Sequence, residues 1–192
     1  MDGSGLSAAM LVDVLRAIRK VRRIQRVIIV SPDVSVRRIA RLMGAHFLWE
    51  GKRKGLNKGV RLALHEASQR GATAALILPS DIPRVKPVEI KRFLALSNGY
   101  QVALVPSKDR GGTNALLLRP PEVMGPAFGR DSFRRHLANS KKRGLTSRVV
   151  RLRSIAFDID EPADLTHLRG LALRNEAGRF LKSLNVRREI KV

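Results

Sequence analysis

Short apolar runs alternate with amphipathic stretches along this chain, and that alternation limits its fold more than any other feature. Apolar residues recur at helical spacing over residues 7–22, and a β-branched run follows at residues 27–30. The same order repeats further along. Strands that alternate with helices need crossover connections, which predicts an α/β protein with a doubly wound, mostly parallel sheet and helices on both faces.

The remaining elements follow from the same two periodicities. Further strands are predicted at residues 46–49, 74–78, 101–105, 113–118 and 148–152. Further helices are predicted at residues 34–43, 60–71, 87–97, 132–143, from about 161 onward, and at 176–184. Because the 74–78 run is apolar throughout, we expect this strand to be buried on both faces. Residues 1–170 are predicted to form one domain and residues 171–192 a basic helical tail.

Composition excludes several classes of protein. The chain has 192 residues and no cysteine, which rules out a disulfide scaffold, a thiolate zinc site and a cysteine nucleophile. Basic residues at Arg16, Arg19 and Lys20 interrupt the first apolar stretch, which is unlike a signal peptide. No apolar run approaches the roughly 18 residues of a membrane span. We therefore expect a cytoplasmic protein without a membrane partner.

The formal net charge of +22 predicts affinity for polyanions, unless it reflects a generally basic proteome. The basic residues are spread along the whole chain rather than gathered in one arm. Aromatic residues make up only 4%, which leaves few side chains for stacking on bases. Both explanations of the charge stay open, and nucleic acid ranks last among the partners.

Two acidic segments follow predicted strands and are candidates for a metal site. Asp81 emerges near the carboxyl end of the 74–78 strand, where α/β sheets collect ligands. Asp158 and Asp160 are two residues apart, so in an extended chain they share one face. Positions 158–164 hold four of the sixteen acidic residues, which favours a bound cation in so basic a protein. Ordinary turns and helix caps are the alternative at both places.

Three other segments suit anionic ligands. Paired glycines in the 109–114 loop let backbone N–H groups approach an anion, and the start of the 132–143 helix offers a phosphate or carboxylate seat. A basic run at residues 52–54 precedes a further helix and suits a nucleotide's phosphates. The alternatives are a hairpin turn at residues 109–114, a simple helix cap at the start of the 132–143 helix, and a solvated charge run at residues 52–54. The four scattered histidines are interpreted as structural or surface residues.

The order of these segments resembles that of 2-phospho-L-lactate guanylyltransferases, which act in the biosynthesis of coenzyme F-420. The resemblance covers about residues 6–170. Its motifs are Gly55-Leu56-Asn57, Leu78-Pro79-Ser80-Asp81-Ile82-Pro83, Gly112-Thr113-Asn114-Ala115, Phe128-Gly129 with Ser132-Phe133 and His136, and Phe157-Asp158-Ile159-Asp160 with Pro162 and Asp164-Leu165. The third and fourth motifs together are the most specific to that family, whereas the last is shared with other nucleotidyltransferases.

The resemblance implies a Rossmann-like nucleotidyltransferase fold of the nucleotide-diphospho-sugar transferase type. It implies transfer of GMP from GTP to 2-phospho-L-lactate, phosphoenolpyruvate or 3-phosphoglycerate, with release of pyrophosphate and with Mg²⁺ as cofactor. A homodimer is compatible with the family. The implied site residues are Asp81 and Asp160 as catalytic metal ligands, Asp158 as a third ligand, Thr113, Asn114, Gly129 and Ser132 for the acceptor, and Gly55, Leu56 and Asn57 for the nucleotide.

One feature of the family is not seen in the sequence. Family members begin with a strand and a Pro-x-Lys loop that wraps the triphosphate, and no apolar strand precedes Leu6. We expect that the true start lies upstream or that the gene has lost its beginning. A sheet without that interior strand should show two unpaired edges. Two other functions stay open: a molybdenum-cofactor-like nucleotidyltransferase, and a degraded transferase that binds nucleic acid through its positive charge.

Overall fold

The computed structural model describes residues 3–51, 55–109, 111–159, 164 and 175–189. Its helices are α1 (Gly3–Arg19), α2 (Val36–Leu42), α3 (Leu56–Gln69), α4 (Pro87–Leu96), α5 (Ser132–Lys142) and α6 (Glu176–Glu189). Its strands are β1 (Ile28–Ser31), β2 (His46–Trp49), β3 (Ala75–Ile77), β4 (Val102–Pro106), β5 (Thr113–Leu118) and β6 (Ser147–Val149). The helix expected from about residue 161 lies outside the described residues, apart from Asp164.

Strands β4 and β5 form the centre of the core, since every residue of both strands is buried. Their side chains alternate between the two faces of the sheet. Ala103 and Leu117 pack in a cluster with residues of α1 and α4. Leu104 and Leu116 pack in a second cluster with residues of α3 and α5. Helices therefore cover both faces, which confirms the predicted α/β class.

The strand pairing is mixed rather than mostly parallel among the described strands. They form a two-stranded sheet, β1-β2, and a four-stranded sheet in the order β3-β5-β4-β6. The pairs β1–β2 and β4–β6 are parallel, whereas β5 is antiparallel to both β3 and β4. The cause is the short turn at residues 107–112, because a connection of that length reverses the chain rather than crossing over the sheet.

Strand β3 is less enclosed than the sequence predicted. All three of its residues are only partly buried, so the expectation of burial on both faces is wrong. One edge of β3 and one edge of β1 pair with no other described strand. Helix α3 packs against both strands and connects the two sheets. Each of the two described sheets has two outer strands, so the loss of an interior strand stays a prediction.

Helix α6 docks onto α1 through a buried carboxylate. The side chain of Asp13 accepts hydrogen bonds from the backbone N–H groups of Glu176 and Ala177, both at 2.9 Å. Burial raises the pKa of Asp13, while these two hydrogen bonds act in the opposite direction. Ala177 and Leu181 are buried at the contact.

The domain boundary near residue 170 stays a prediction. Among the described helices, none combines the length and the apolar character that crossing a bilayer requires.

Candidate active site

The antiparallel pairing of β3 with β5 brings two of the predicted segments to one edge of the sheet. Leu76 lies opposite Leu117 and Ile77 opposite Leu116, so the carboxyl end of β3 adjoins the start of β5. Asp81 follows β3, and Thr113 is the first residue of β5. The end of β4 reaches the same edge, because its last residue pairs with Thr113.

The two acidic segments meet at this edge through their backbones. The N–H of Ile159 donates a hydrogen bond to the carbonyl oxygen of Asp81 at 3.0 Å. Asp158 immediately precedes the donor, and both Asp81 and Asp158 are half-buried. Asp160 immediately follows the donor but lies outside the described residues, so its role as a ligand stays a prediction. Segments that are far apart in the sequence are thus held side by side.

The donor set at this edge fits a magnesium ion. The described residues contain no group of three or more His, Asp or Glu side chains arranged to hold a metal. Mg²⁺ does not need such a group, because it commonly binds one or two carboxylates and completes its shell with water and substrate phosphates. Asp81 and Asp158 carry carboxylate oxygens of that kind on the two joined segments, and their role as metal ligands stays a prediction.

Two cations border the acidic segments, and sequence reasoning missed both. The guanidinium of Arg84 lies 4.9 Å from the centre of the Phe157 ring, and Lys108 Nζ lies 5.1 Å from it. Lys108 also forms an ion pair with the buried carboxylate of Asp164. These residues come from three separate segments, and no spacing in the sequence indicates that they share one aromatic ring. Their charges suit a site for anionic reactants.

The glycine loop before β5 is a hairpin with internal partners. The N–H of Gly111 donates to Asp109 Oδ1 at 3.0 Å, and the N–H of Gly112 donates to Ser107 Oγ at 2.8 Å. Ser107 in turn donates to Asp109, and these bonds lower the pKa of that carboxyl. Both N–H groups therefore have partners within the loop, and their binding to an anionic ligand stays a prediction. The hairpin turn, the alternative interpretation, is the observed structure.

A buried polar cluster joins β5 to α5. The hydroxyl of Ser132 donates to Thr113 Oγ1 at 3.2 Å, and Thr113 Oγ1 lies 3.0 Å from His136 Nδ1. The other ring nitrogen of His136 accepts a hydrogen bond from the N–H of Ala127 at 2.9 Å. Burial, with a smaller contribution from Arg135, lowers the pKa of His136 from 6.5 to about 4. This histidine is therefore neutral at pH 7. It lies four residues after Ser132, a spacing that places both side chains on the same face of α5.

The remaining acceptor residues also lie at junctions between segments. Asn114 donates through Nδ2 to the carbonyl oxygen of Ile155 at 3.1 Å, which fixes the stretch that leads to Asp158. Gly129 adopts a φ of 109°, and its carbonyl oxygen accepts from the N–H of Ser132. Only glycine adopts such a backbone easily, so Gly129 allows the sharp entry into α5.

The segment predicted to contact the nucleotide is hydrogen-bonded to the Phe128–Gly129 loop, which is predicted to contact the acceptor. Asn57 donates to the carbonyl oxygen of Phe128 at 3.0 Å and accepts from its N–H at 2.7 Å. Gly55 precedes α3 with a φ of 88°, and Leu56 is 64% exposed. The structure thus brings Asn57 to the Phe128–Gly129 loop, whereas nucleotide contacts by Gly55, Leu56 and Asn57 stay predictions. The basic residues 52–54 lie outside the described residues.

Comparison with known proteins identifies the family of this chain. Residues 2–191 match the family described as "Guanylyl transferase CofC like". The phosphoenolpyruvate guanylyltransferase of Sphaerobacter thermophilus is 43% identical over 167 residues, which cover 87% of this chain and 80% of the relative. The 3-phospho-D-glycerate guanylyltransferase of Phenylobacterium zucineum is 31% identical over 85% of this chain and 76% of its own length. The 2-phospho-L-lactate guanylyltransferase of Methanocaldococcus jannaschii is 30% identical over 92% and 75%, respectively.

Solved structures of low sequence identity share the fold. A structure described as that of a nucleotide-diphospho-sugar transferase from Desulfovibrio desulfuricans matches with a TM-score of 0.72 at 17% identity, over 94% of this chain and 82% of that one. A manganese complex of Rv0371C from Mycobacterium tuberculosis matches with a TM-score of 0.60 at 15% identity, over 82% and 84%. With a family match along almost its whole length, this chain belongs to the CofC-like guanylyl transferases, which are nucleotidyltransferases.

Proposed function

We propose that this protein transfers GMP from GTP to a phosphorylated three-carbon acid in coenzyme F-420 biosynthesis, and that it needs Mg²⁺. The acceptor belongs to the set 2-phospho-L-lactate, phosphoenolpyruvate and 3-phosphoglycerate, which are the substrates in the names of the relatives. The observation that carries this proposal is the backbone hydrogen bond between Asp81 and Ile159. This bond joins the segments of Asp81 and Asp158 where the end of β3 adjoins the start of β5, which supports a shared site for the metal and the acceptor.

The reaction requires positioning more than covalent chemistry. A phosphate oxygen of the acceptor attacks the α-phosphorus of GTP, a new P–O bond forms, and the bond to the β-phosphate oxygen breaks. Pyrophosphate leaves with that bonding pair, and no group of the protein needs to bond to the nucleotide. Mg²⁺, when bound, would supply positive charge that offsets the charge of the phosphates. Asp81 and Asp158, with Asp160 as predicted, would hold the ion.

The protein's own side chains divide the remaining tasks. Thr113 presents its hydroxyl hydrogen to the acceptor's phosphate or carboxylate, and Ser132 orients that hydroxyl by donating to Thr113 Oγ1. Lys108 and Arg84 add positive charge near the acidic segments, which offsets the negative charge that two anionic substrates bring together. The formal net charge of +22 favours the capture of both substrates from solution.

Pyrophosphate release tests the proposal directly. The purified protein is incubated with GTP, CTP or ATP and with each of the three acceptors, with Mg²⁺ or with EDTA. We expect release with GTP and at least one acceptor, loss of release in EDTA and recovery when Mg²⁺ is returned. A preference for CTP, or release that survives EDTA, would contradict the proposal. Salt-dependent binding of RNA without any pyrophosphate release would favour the degraded transferase instead.

A further inference from the structure

The hydrogen bonds of His136 determine which ring nitrogen carries the proton. The backbone N–H of Ala127 points at Nε2 from 2.9 Å, so Nε2 must offer a lone pair. A neutral imidazole then carries its hydrogen on Nδ1. Nδ1 lies 3.0 Å from Thr113 Oγ1, so its N–H donates to that hydroxyl oxygen, and the ring also hydrogen-bonds the backbone of Ser132. The ring is completely buried, which disfavours the doubly protonated form.

This protonation state restricts what the hydroxyl of Thr113 can do. Its oxygen accepts from His136 Nδ1 and also from the hydroxyl of Ser132 at 3.2 Å. A hydroxyl oxygen has two lone pairs and one hydrogen, so both acceptor positions are occupied. The hydrogen of Thr113 is what remains for a ligand at the edge of the sheet. An unconstrained serine or threonine would instead serve as donor or acceptor equally well.

We propose that His136 is a positioning residue that makes Thr113 an obligate hydrogen-bond donor to an anionic group of the acceptor. This inference rests on the proposed function and deepens it. An ionised phosphate or carboxylate oxygen only accepts, so it matches a fixed donor, whereas an ammonium group, which only donates, does not. Because the donor is oriented before the substrate arrives, binding costs little reorganisation. Phe128 packs edge-on against the ring, with centroids 4.9 Å apart, and helps to fix its orientation.

The protonation state is testable without any substrate. Nitrogen-15 NMR of the protein labelled at histidine distinguishes a ring nitrogen that bears hydrogen from one that bears a lone pair. We expect His136 to show hydrogen on Nδ1 and a lone pair on Nε2 at neutral pH. Hydrogen on Nε2, or on both nitrogens, would overturn the inference even if the enzyme proved active.

A matched pair of variants tests the effect on the acceptor. An asparagine amide at position 136 can place an N–H near the position of Nδ1, whereas a glutamine oxygen can occupy the position of Nε2. His136→Gln should therefore keep the contact to Ala127, lose the bond to Thr113 and raise the KM for the acceptor about tenfold. His136→Asn should raise the acceptor KM distinctly less, because its amide N–H can still donate to Thr113. Neither variant should change the KM for GTP by a comparable factor.

The outcomes separate a positioning role from a structural one. In a Thr113→Val background, His136→Gln should have little further effect on the acceptor KM, because the residue acts through Thr113. The inference would be overturned if His136→Asn and His136→Gln raised the acceptor KM equally. It would also be overturned if His136→Gln raised that KM by its full factor in the Thr113→Val background. If no acceptor supports turnover in the wild-type protein, the proposed function fails, while the NMR result still decides the protonation state.

Discussion

Strands β5 and β3 are neighbours that both reach the candidate active site, yet the protein encloses them differently. β5 pairs with a strand on each side and all six of its residues are buried. β3 pairs on one side only among the described strands, and its three residues are partly exposed. Thr113, proposed to bind the acceptor substrate, belongs to the enclosed strand, whereas Asp81, proposed to bind the metal, follows the open one.

The difference separates two ways of building a site. The acceptor side consists of buried groups whose hydrogen bonds are made before a substrate arrives, as in the Thr113, Ser132 and His136 cluster. The metal side consists of half-buried carboxylates on loops beside Arg84 and Lys108. We expect substitutions on the first side to affect stability and acceptor affinity, and substitutions on the second side to affect turnover.

The largest expected effect compares two leucines that lie opposite each other. Leu117 of β5 and Leu76 of β3 are paired in the sheet and pack into the same cluster. Leu117→Ala should lower the free energy of unfolding by about 4 kcal/mol, because the substitution leaves a cavity in a fully packed interior. Leu76→Ala should cost about half as much, since its surroundings are partly open. Urea denaturation of both variants measures the difference, and equal losses would contradict the contrast between the strands.

A somewhat smaller effect is expected from pH. The pKa of His136 is lowered from 6.5 to about 4 in the folded protein, mainly by burial. Between these values the unfolded chain binds a proton that the folded protein does not, so stability present above pH 6.5 is lost as the pH falls toward 4. The contribution of this residue is about 3 kcal/mol.

The His136→Gln variant isolates that contribution from those of the carboxylates. Asp109 and Glu176 have lowered pKa values because of their hydrogen bonds, and they also destabilise the protein when they are protonated. Denaturation at pH 7, 5.5 and 4.5 should therefore show a steeper loss in the wild type than in the variant. Parallel curves would show that His136 does not titrate as its burial requires.

The smallest effect on folding, with a clear effect on turnover, is expected on the metal side. Asp81→Asn and Asp158→Asn should each reduce the rate of pyrophosphate release about 100-fold, because an amide holds Mg²⁺ and its charge less well than a carboxylate. Thermal stability should change little, since both side chains are half-buried. Glu122→Gln is the control, because Glu122 is 48% exposed and follows the opposite end of β5. Full Mg²⁺-dependent activity in both aspartate variants would remove them from the metal site.

The same contrast explains which features could be predicted from the sequence. Strands β2 and β5 have their predicted bounds, because turn residues and apolar runs define them locally. The burial of β3 was predicted wrongly, since an apolar run does not reveal whether both of its edges are paired. The link between Asn57 and Phe128 spans 71 positions and is likewise invisible in the sequence. His136 stands in a family motif but was interpreted from the sequence as a structural or surface residue, and only the folded structure shows its bonds to Thr113 and Ala127.

The paired hydrogen bonds between Asn57 and Phe128 have a consequence for how this protein could acquire a new acceptor. Two hydrogen bonds hold the start of α3 against the loop before α5, so a shift of one segment shifts the other. If the proposed sites are right, a larger acceptor could not be accommodated by shifting the loop alone without disturbing the helix that follows the predicted nucleotide residues. We therefore expect selectivity for the acceptor to change more readily through single side-chain exchanges than through remodelling of the backbone.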